Sequence, residues 1–254
     1  MPQQPKISIS IVSHRQGSLA EQLLSDLRVH CATPLEVILT VNVTETLPFD
    51  AEQFDFPVKI LMNTSAKGFA ANHNAAFRHA RAEYFCVLNP DVRLERDPFP
   101  ALFAQLADLK IGVASPLILN PSGEIEDNAR RFPTLFSILK KALLRRRELE
   151  YEITGAPFYP DWIAGMFMVF RAEVFKALSG FDEHYFLYYE DVDLCLRLRH
   201  AGYEVILLPQ VSAIHDARRQ SHRSVRYLLW HASSLLRFLY RRQRYKYARG
   251  LTPG

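Results

Sequence analysis

Three carboxylates, Glu190, Asp191 and Asp193, fall within four consecutive positions of FLYYEDVDLCLRLRHAG (186–202), directly after an aromatic cluster and directly before an apolar helical run. Two roles compete for them. Acids in the first turn of a helix are favoured by the macrodipole, each by roughly 0.3–1 kcal/mol. A helix from Glu190 to His200, closed by Gly202, would use one or two of the three in that way. Capping leaves unexplained the upstream HYFLYYED, whose rings read as the wall of a pocket for something flat. A carboxylate at a helix amino terminus also stays ionised, the state a general base requires. Asp193 is therefore assigned to the helix, and Glu190 or Asp191 to the chemistry.

A second set of candidates sits at strand ends. In VLNPDVRLERDP (87–98) an apolar strand runs into a polar turn, and Asp91 follows the strand by a few positions. A carboxylate there can hold magnesium or manganese whose remaining ligands are substrate phosphates. Asn-Pro-Asp is equally good turn chemistry. In NTSAKGFAANHNAAF (63–77), Gly68 would let the backbone approach a ligand and the helix starting near Phe69 would aim amides at an anion. Lys67 adds charge there, and Asn72 and Asn74 add neutral hydrogen-bonding groups. A plain strand-to-helix turn fits the same glycine. His215, ending the strand of VSAIHD, completes a metal site with Asp91 only if both reach one sheet edge; a lone histidine is more often structural.

The elements that must position these residues alternate strand and helix over the first 120 positions: strands at 6–13, 35–41, 58–62, 84–89 and 111–119, helices at 17–30, 69–81 and 98–108. Such alternation makes a mostly parallel sheet, with ligands beyond the carboxyl ends of its strands. Ser13–Gly17, Val41–Thr46 and Asn89–Arg93 are the loops at that edge. After Asn120 come an exposed turn-rich loop, a basic amphipathic helix at 135–147, and a mobile stretch to Asp161. A strand at 166–170, a short helix at 172–178, the acidic helix, and strands at 204–209 and in VSAIHDA follow. The last helix, 222–244, carries Val225, Leu228, Leu229, Ala232, Leu235, Leu236 and Leu239 on one face, expected to pack on the body with its arginines turned outward.

Composition fits a soluble α/β protein: 254 residues, 48% hydrophobic and 23% charged. The amino terminus lacks the apolar run of a signal peptide, and no run of apolar residues is long enough to span a bilayer. Cys31, Cys86 and Cys195 are scattered and without CxxC spacing, which reads as free thiols in a reducing cytoplasm and not as a zinc site. Charge is uneven. Residues 216–254 hold ten Lys/Arg against Asp216 alone, while the remainder has 21 basic and 26 acidic residues. A basic tail of this kind meets something anionic. Its charges flank an apolar stripe and match no nucleic-acid-binding motif, so no nucleic acid is expected.

The series ISIVSH, NxxxxGFAANHNAAF, VLNPDVRL, RRFPT, DWIAGMFMVFRAEVF, GFDEHYFLYYEDVDLCLRLRHAGYEV and AIHDARRQSHRS resembles the family 2 inverting glycosyltransferases of GT-A fold, in particular their bacterial rhamnosyltransferase-like branch. The resemblance runs from Lys6 to Arg241 with the motifs in the same order. It implies one mostly parallel nucleotide-binding sheet flanked by helices (1–221), followed by a basic amphipathic helix and tail (222–254). It also implies roles. Asn89-Pro90-Asp91 stands at the family's Asp-x-Asp metal motif, with Asp91 as the metal contact and His215 on the metal or diphosphate. Asp191, beside Glu190, stands at the general base. Trp162, Gly165 and Tyr188 shape the acceptor and sugar pocket. Ser13, His14, Arg15, Asn42, Lys67, Gly68, Asn72, Asn89 and Asp91 line the nucleotide sugar.

One departure is visible: Val41 occupies the position of the aspartate that contacts the nucleotide base, which leaves that contact to Asn42, Glu36, or backbone and stacking. The resemblance implies a metal-dependent enzyme moving a sugar, L-rhamnose from dTDP-rhamnose, to a glycan or lipid-linked acceptor in cell-surface polysaccharide synthesis. The alternative is a nucleotide-sugar-binding protein without transferase activity. The basic amphipathic segments imply a cytoplasmic enzyme in peripheral contact with the anionic inner face of the plasma membrane.

Overall fold

Segments rich in β-branched and aliphatic residues, such as ISISIVS and LEVILTV, become strands buried on both faces, as parallel sheets require. The computed structural model describes residues 4–134, 136–138, 149–216 and 225–248, the last segment by backbone alone at 225, 226 and 246–248. The order is β1 (Ile7–Ser13), α1 (Gly17–His30), β2 (Leu35–Val41), a 3-10 turn (Ala51–Gln53), β3 (Val58–Met62), α2 (Phe69–Phe77), β4 (Tyr84–Leu88), β5 (Val92–Arg93), α3 (Phe99–Leu106) and β6 (Ile111–Leu119). Then come β7 (Ala129–Arg130), β8 (Trp162–Ile163), β9 (Phe167–Arg171), α4 (Ala172–Ala177), α5 (Glu190–His200), β10 (Glu204–His215) and α6 (Val225–Ala248).

Eight strands form one sheet in the order β3-β2-β1-β4-β9-β6-β10-β5, and β7 pairs with β8 in a separate ribbon. β9 runs antiparallel between β4 and β6, and β5 runs antiparallel at the edge against β10. The remaining pairs of the eight-stranded sheet are parallel. Reversing β9 matters for the site: it brings the start of β9 beside the end of β4, so that the WIAG segment reaches the edge where ligands bind. The two strands expected at 204–209 and in VSAIHDA are one, bent by a register shift between Leu208 and Ser212. The core is split by the sheet. One side is built on Leu23, Leu24 and Leu27 of α1 with Phe99 and Leu102 of α3, the other on Phe170, Phe175, Leu194 and Leu198.

Two expectations need correction. The stretch before Asp161 is anchored: Phe158 exchanges backbone hydrogen bonds with Leu207 at 3.1 and 2.9 Å, and the Asp161 amide donates to the Tyr151 hydroxyl at 3.0 Å. The helix expected at 135–147 lies almost wholly outside the described residues. The last helix is also rotated relative to expectation. Phe238 is fully buried and Ser234 nearly so, whereas Leu228, Leu229 and Leu236 are 65–67% exposed. The cause is electrostatic. Asp193 is completely buried, and the Arg241 guanidinium reaches it at 3.1 Å while Arg197 binds it at 2.8 Å. A buried carboxylate must be paired, so α6 turns Arg241 inward and leucines outward.

Candidate active site

Where β4 ends, the Asn89 amide donates to the Met166 carbonyl (2.9 Å) and the Val92 amide to the Asn89 carbonyl (3.2 Å), folding Asn-Pro-Asp into a turn. The turn leads into β5, whose antiparallel register sets His215 opposite Val92. That register brings Asp91 and His215 together: His215 Nε2 lies 3.4 Å from Asp91 Oδ1.

 The opposite ring nitrogen, Nδ1, lies 2.7 Å from Glu126 Oε2. In the neutral ring, the form that can ligate a cation, Glu126 fixes the tautomer: Nδ1–H is donated to the carboxylate and the Nε2 lone pair faces Asp91. Asp91 Oδ1 is buried and has no hydrogen-bond donor, as suits an atom that a cation would complete. Burial alone would lower the His215 pKa, but Asp91 and Glu126 outweigh it and raise it to about 9. Asp91 and His215 thus fit a divalent cation whose other ligands come from a diphosphate. Glu126 was invisible in the sequence because NPSGEIEDN reads as an exposed polar loop.

The second half of the site is the entry to α5. Tyr188 and Tyr189 both adopt left-handed backbone angles, φ 70° and 68°. Such angles are costly for non-glycine residues, and here they swing the chain so that α5 begins at Glu190. Asp191 then accepts the Gly165 amide on Oδ2 (2.9 Å) and the Val192 amide on Oδ1 (2.8 Å). Gly165 suits this approach: a Cβ there would lie 3.2 Å from the Phe69 ring, a tight contact, and 3.6 Å from Asp191 Cβ. Gly165 is followed by Met166, the partner of Asn89, so a continuous path of backbone pairing links Asp191 to the Asp91 turn. The two carboxylates stand at the same edge of the sheet.

The acidic pair divides its roles. Glu190 is 5% exposed and its Oε2 has no partner. Desolvation, then the neighbouring Asp191 charge, pushes its pKa well above the usual carboxylate range. Burial thus favours the protonated form of Glu190, whose carboxyl is turned into the core. Asp191 is only partly covered. Its pKa is also raised by desolvation, against the stabilising amides of Gly165 and Val192 and the Arg130 charge. The helix terminus alone would have kept it low, so burial wins and makes it a stronger base. Asp193 is structural, as expected, through Arg197 and Arg241. Arg130, in the RRFPT segment, also lies 5.5 Å over the Trp162 ring, whose Nε1 donates to the Arg131 carbonyl.

On the nucleotide side, His14 and Arg15 are exposed beyond β1, with Arg15 at φ 61°. Ser13 is buried, and its hydroxyl donates to Glu45, whose carboxylate also takes the amides of Arg15 (3.1 Å) and Gly17 (2.9 Å). Glu45 therefore caps α1 and spends the Ser13 hydroxyl on the loop. Asn42 accepts the Lys67 amide (2.8 Å) and donates to the Lys67 carbonyl (3.0 Å), while Asn63 bridges Asn42 and Asn72. These amides shape the loop from within, and Lys67 is left exposed at its tip. Gly68 admits protein and not ligand: a Cβ would stand 2.8 Å from Phe186 Cα, and the Phe69 amide donates to the Phe186 carbonyl at 2.9 Å. The first amide of α2 is thus already taken by the protein. Glu36 is excluded from the base contact, because it lies at the amino edge bound to Ser8 and Arg81. A cavity of about 250 Å³ at that far edge is lined by Glu36, Lys59, His79 and Arg81, with its charges already paired.

Two outcomes follow from this geometry. Glu126→Ala should weaken manganese binding in the presence of a nucleoside diphosphate by about 10–100-fold, read by calorimetry; unchanged affinity would detach Glu126 from the metal corner. Glu190 has a raised folded pKa, so its stability contribution is complete below its unfolded pKa and is lost as pH rises through the folded one. Glu190→Gln cannot ionise. Its melting temperature should gain on wild type as pH rises from about 6 to about 9, and a constant difference would refute the neutral assignment.

The family model for "Glycosyltransferase like family 2" matches residues 5–240. Rhamnosyltransferase WbbL of Escherichia coli K12 is 31% identical over 189 residues, covering 69% of this chain and 71% of that protein. The N-acetylglucosaminyl-diphospho-decaprenol L-rhamnosyltransferase of Mycobacterium tuberculosis is 28% identical over 242 residues, covering 85% and 78%. Among solved structures, GalNAc-T7 with UDP, GalNAc and Mn2+ superposes with a TM-score of 0.66 at 16% identity, over 85% of this chain and 44% of that one. The mannosyltransferase PcManGT of Pyrobaculum calidifontis, with GDP-Man and Mn2+, gives 0.64 at 18% identity, over 92% and 65%. The chain spans less than two thirds of either solved chain. With its mostly parallel sheet and its two carboxylates at one strand edge, the chain belongs to the family 2 glycosyltransferases and has their GT-A fold.

Proposed function

We propose that the chain transfers a sugar, L-rhamnose from dTDP-rhamnose, to a hydroxyl of a lipid-linked glycan acceptor, with inversion at the anomeric carbon. The observation that carries the reading is the placement of Asp191 at the edge that also holds Asp91 and His215. The rhamnosyl donor is supported by the two rhamnosyltransferase relatives, and the lipid-linked acceptor by the decaprenol-linked substrate in the name of one of them. In this reading the acceptor hydroxyl lies against Asp191 and gives it a proton as oxygen attacks the anomeric carbon. The nucleoside diphosphate departs from the opposite face toward Asp91 and His215. A divalent cation held there, magnesium or manganese, supplies positive charge for the leaving diphosphate. Gly165 and Val192 hold the Asp191 carboxylate in place through the step, and Trp162 and Tyr188 wall the sugar and acceptor.

The raised Asp191 pKa suits a base, since proton affinity rises with it. The enzyme would work at the cytoplasmic face of a membrane, where such an acceptor is anchored; no helix among the described residues is long and apolar enough to cross one. Asp191→Asn tests the assignment. It keeps the shape and one acceptor oxygen but cannot take the proton, so turnover should fall about 10²–10⁴-fold while donor affinity holds. Unchanged turnover would remove Asp191 from the role. Donor binding by the wild-type chain without any turnover, across a panel of acceptors, would favour a binding protein instead.

A further inference from the structure

We propose that the outward face of α6 docks on an anionic lipid bilayer, and that the same helix fixes the acceptor wall of the cleft relative to that surface. Twelve large hydrophobic residues are conspicuously exposed among those described, and four of them, Leu228, Leu229, Leu236 and Tyr240, lie on α6 at 64–67% exposure. At helical spacing they share one face with exposed Ala232. The others are spread over different elements. An apolar ridge on a single helix is thus a feature of α6 and not of the surface at large.

Charge selects the occupant. α6 contains six Lys/Arg and no Asp or Glu. Arg237 and Arg244 are exposed and lie together along one border of the ridge. A second copy of this chain, laid ridge to ridge, would set arginine against arginine. An apolar stripe bordered by cations is instead the pattern of a helix lying in the headgroup region of an anionic membrane. The basic excess of residues 216–254, ten Lys/Arg to one acid, adds to the attraction.

The opposite face of the same helix grips the loop that delivers Asp191. Trp230 packs on Phe186 with ring centroids 4.6 Å apart, and His231 contacts Tyr188 and Tyr189 at 5.4 and 5.3 Å. Ser234 donates to the Leu187 carbonyl at 3.0 Å, and Arg241 reaches Asp193 of α5 at 3.1 Å. The helix therefore lies between bilayer and cleft, setting the distance from lipid surface to catalytic carboxylate. An acceptor held by its lipid would meet Asp191 only with α6 seated. This second half rests on the proposed transferase reading; the docking itself does not.

The test uses the full chain and the double substitution Leu229→Glu/Leu236→Glu. Both residues are exposed, so an unchanged melting temperature checks that the fold is kept. Wild type should co-sediment with phosphatidylglycerol-containing vesicles and not with phosphatidylcholine alone, and the substitutions should weaken that binding at least about tenfold. Vesicle binding untouched by them would overturn the docking. So would a dimer, seen by light scattering, that the substitutions dissociate, because a second copy would then own the ridge. In the activity arm, the variant should lose transfer to a long-chain polyisoprenyl-diphosphate acceptor in vesicles and retain transfer to a short-chain soluble one. Equal loss on both would refute the role in acceptor placement. No transfer by wild type to either acceptor would instead count against the transferase reading, leaving the vesicle result to stand.

Discussion

The hydrogen bond from the Gly165 amide to the Asp191 carboxylate, 2.9 Å long, ties the catalytic helix to the sheet. Arg197, Arg199 and Arg241 hold the rest of α5, and this bond sets its first turn against the strand edge. The bond is eased by the small size of residue 165, since a Cβ there would press on the Phe69 ring at 3.2 Å. It also needs the left-handed turn at Tyr188 and Tyr189, which aims the helix at Gly165. That unfavourable turn is held in place by α6, through Trp230, His231 and Ser234, and by the buried Asp193 cluster that anchors α6 in turn. A contact at the chemistry thus reaches through the whole carboxyl-terminal half of the fold.

The metal corner depends on strand register in the same way. Two short pairings, β5 with the end of β10 and Asn89 with Met166, place Asp91, His215 and Gly165 at one edge. β9 has to run against its neighbours for the second of these to form. Polar side chains then divide between structure and chemistry by whether the fold has already satisfied them. Asn42, Asn72, Ser13 and Glu36 are fully engaged with protein partners, whereas Asp91 Oδ1 is left without a donor.

Much of this could be read from the chain. The five strands and three helices expected through β6 are all present, because a buried parallel strand and an amphipathic helix leave different patterns; the helix expected at 69–81 stops at Phe77, and the two-residue β5 and the 3-10 turn are too short to leave one. Asp91, Asp191 and His215 stand out in the sequence by type and by motif, and the fold brings Asp91 against His215. What escaped detection was set by tertiary pairing. The neutral state of Glu190 comes from burial, which its place in an acidic run conceals. Glu126 reaches His215 only through folding of a loop with no local signature. Gly68 looked like a ligand contact, yet its space is filled by Phe186. The facing of α6 was misjudged because a hydrophobic stripe was taken to point inward, when the buried charge of Asp193 decided the rotation.

The central claim is that Asp191 acts as a base and not as a nucleophile, so that the acceptor attacks the donor carbon directly. The anomeric configuration of the first product formed, followed by proton NMR, tests this most directly. Direct displacement predicts a product of configuration opposite to that of the donor. A product that keeps the donor configuration would rule out attack from the face opposite the leaving diphosphate and would contradict the account.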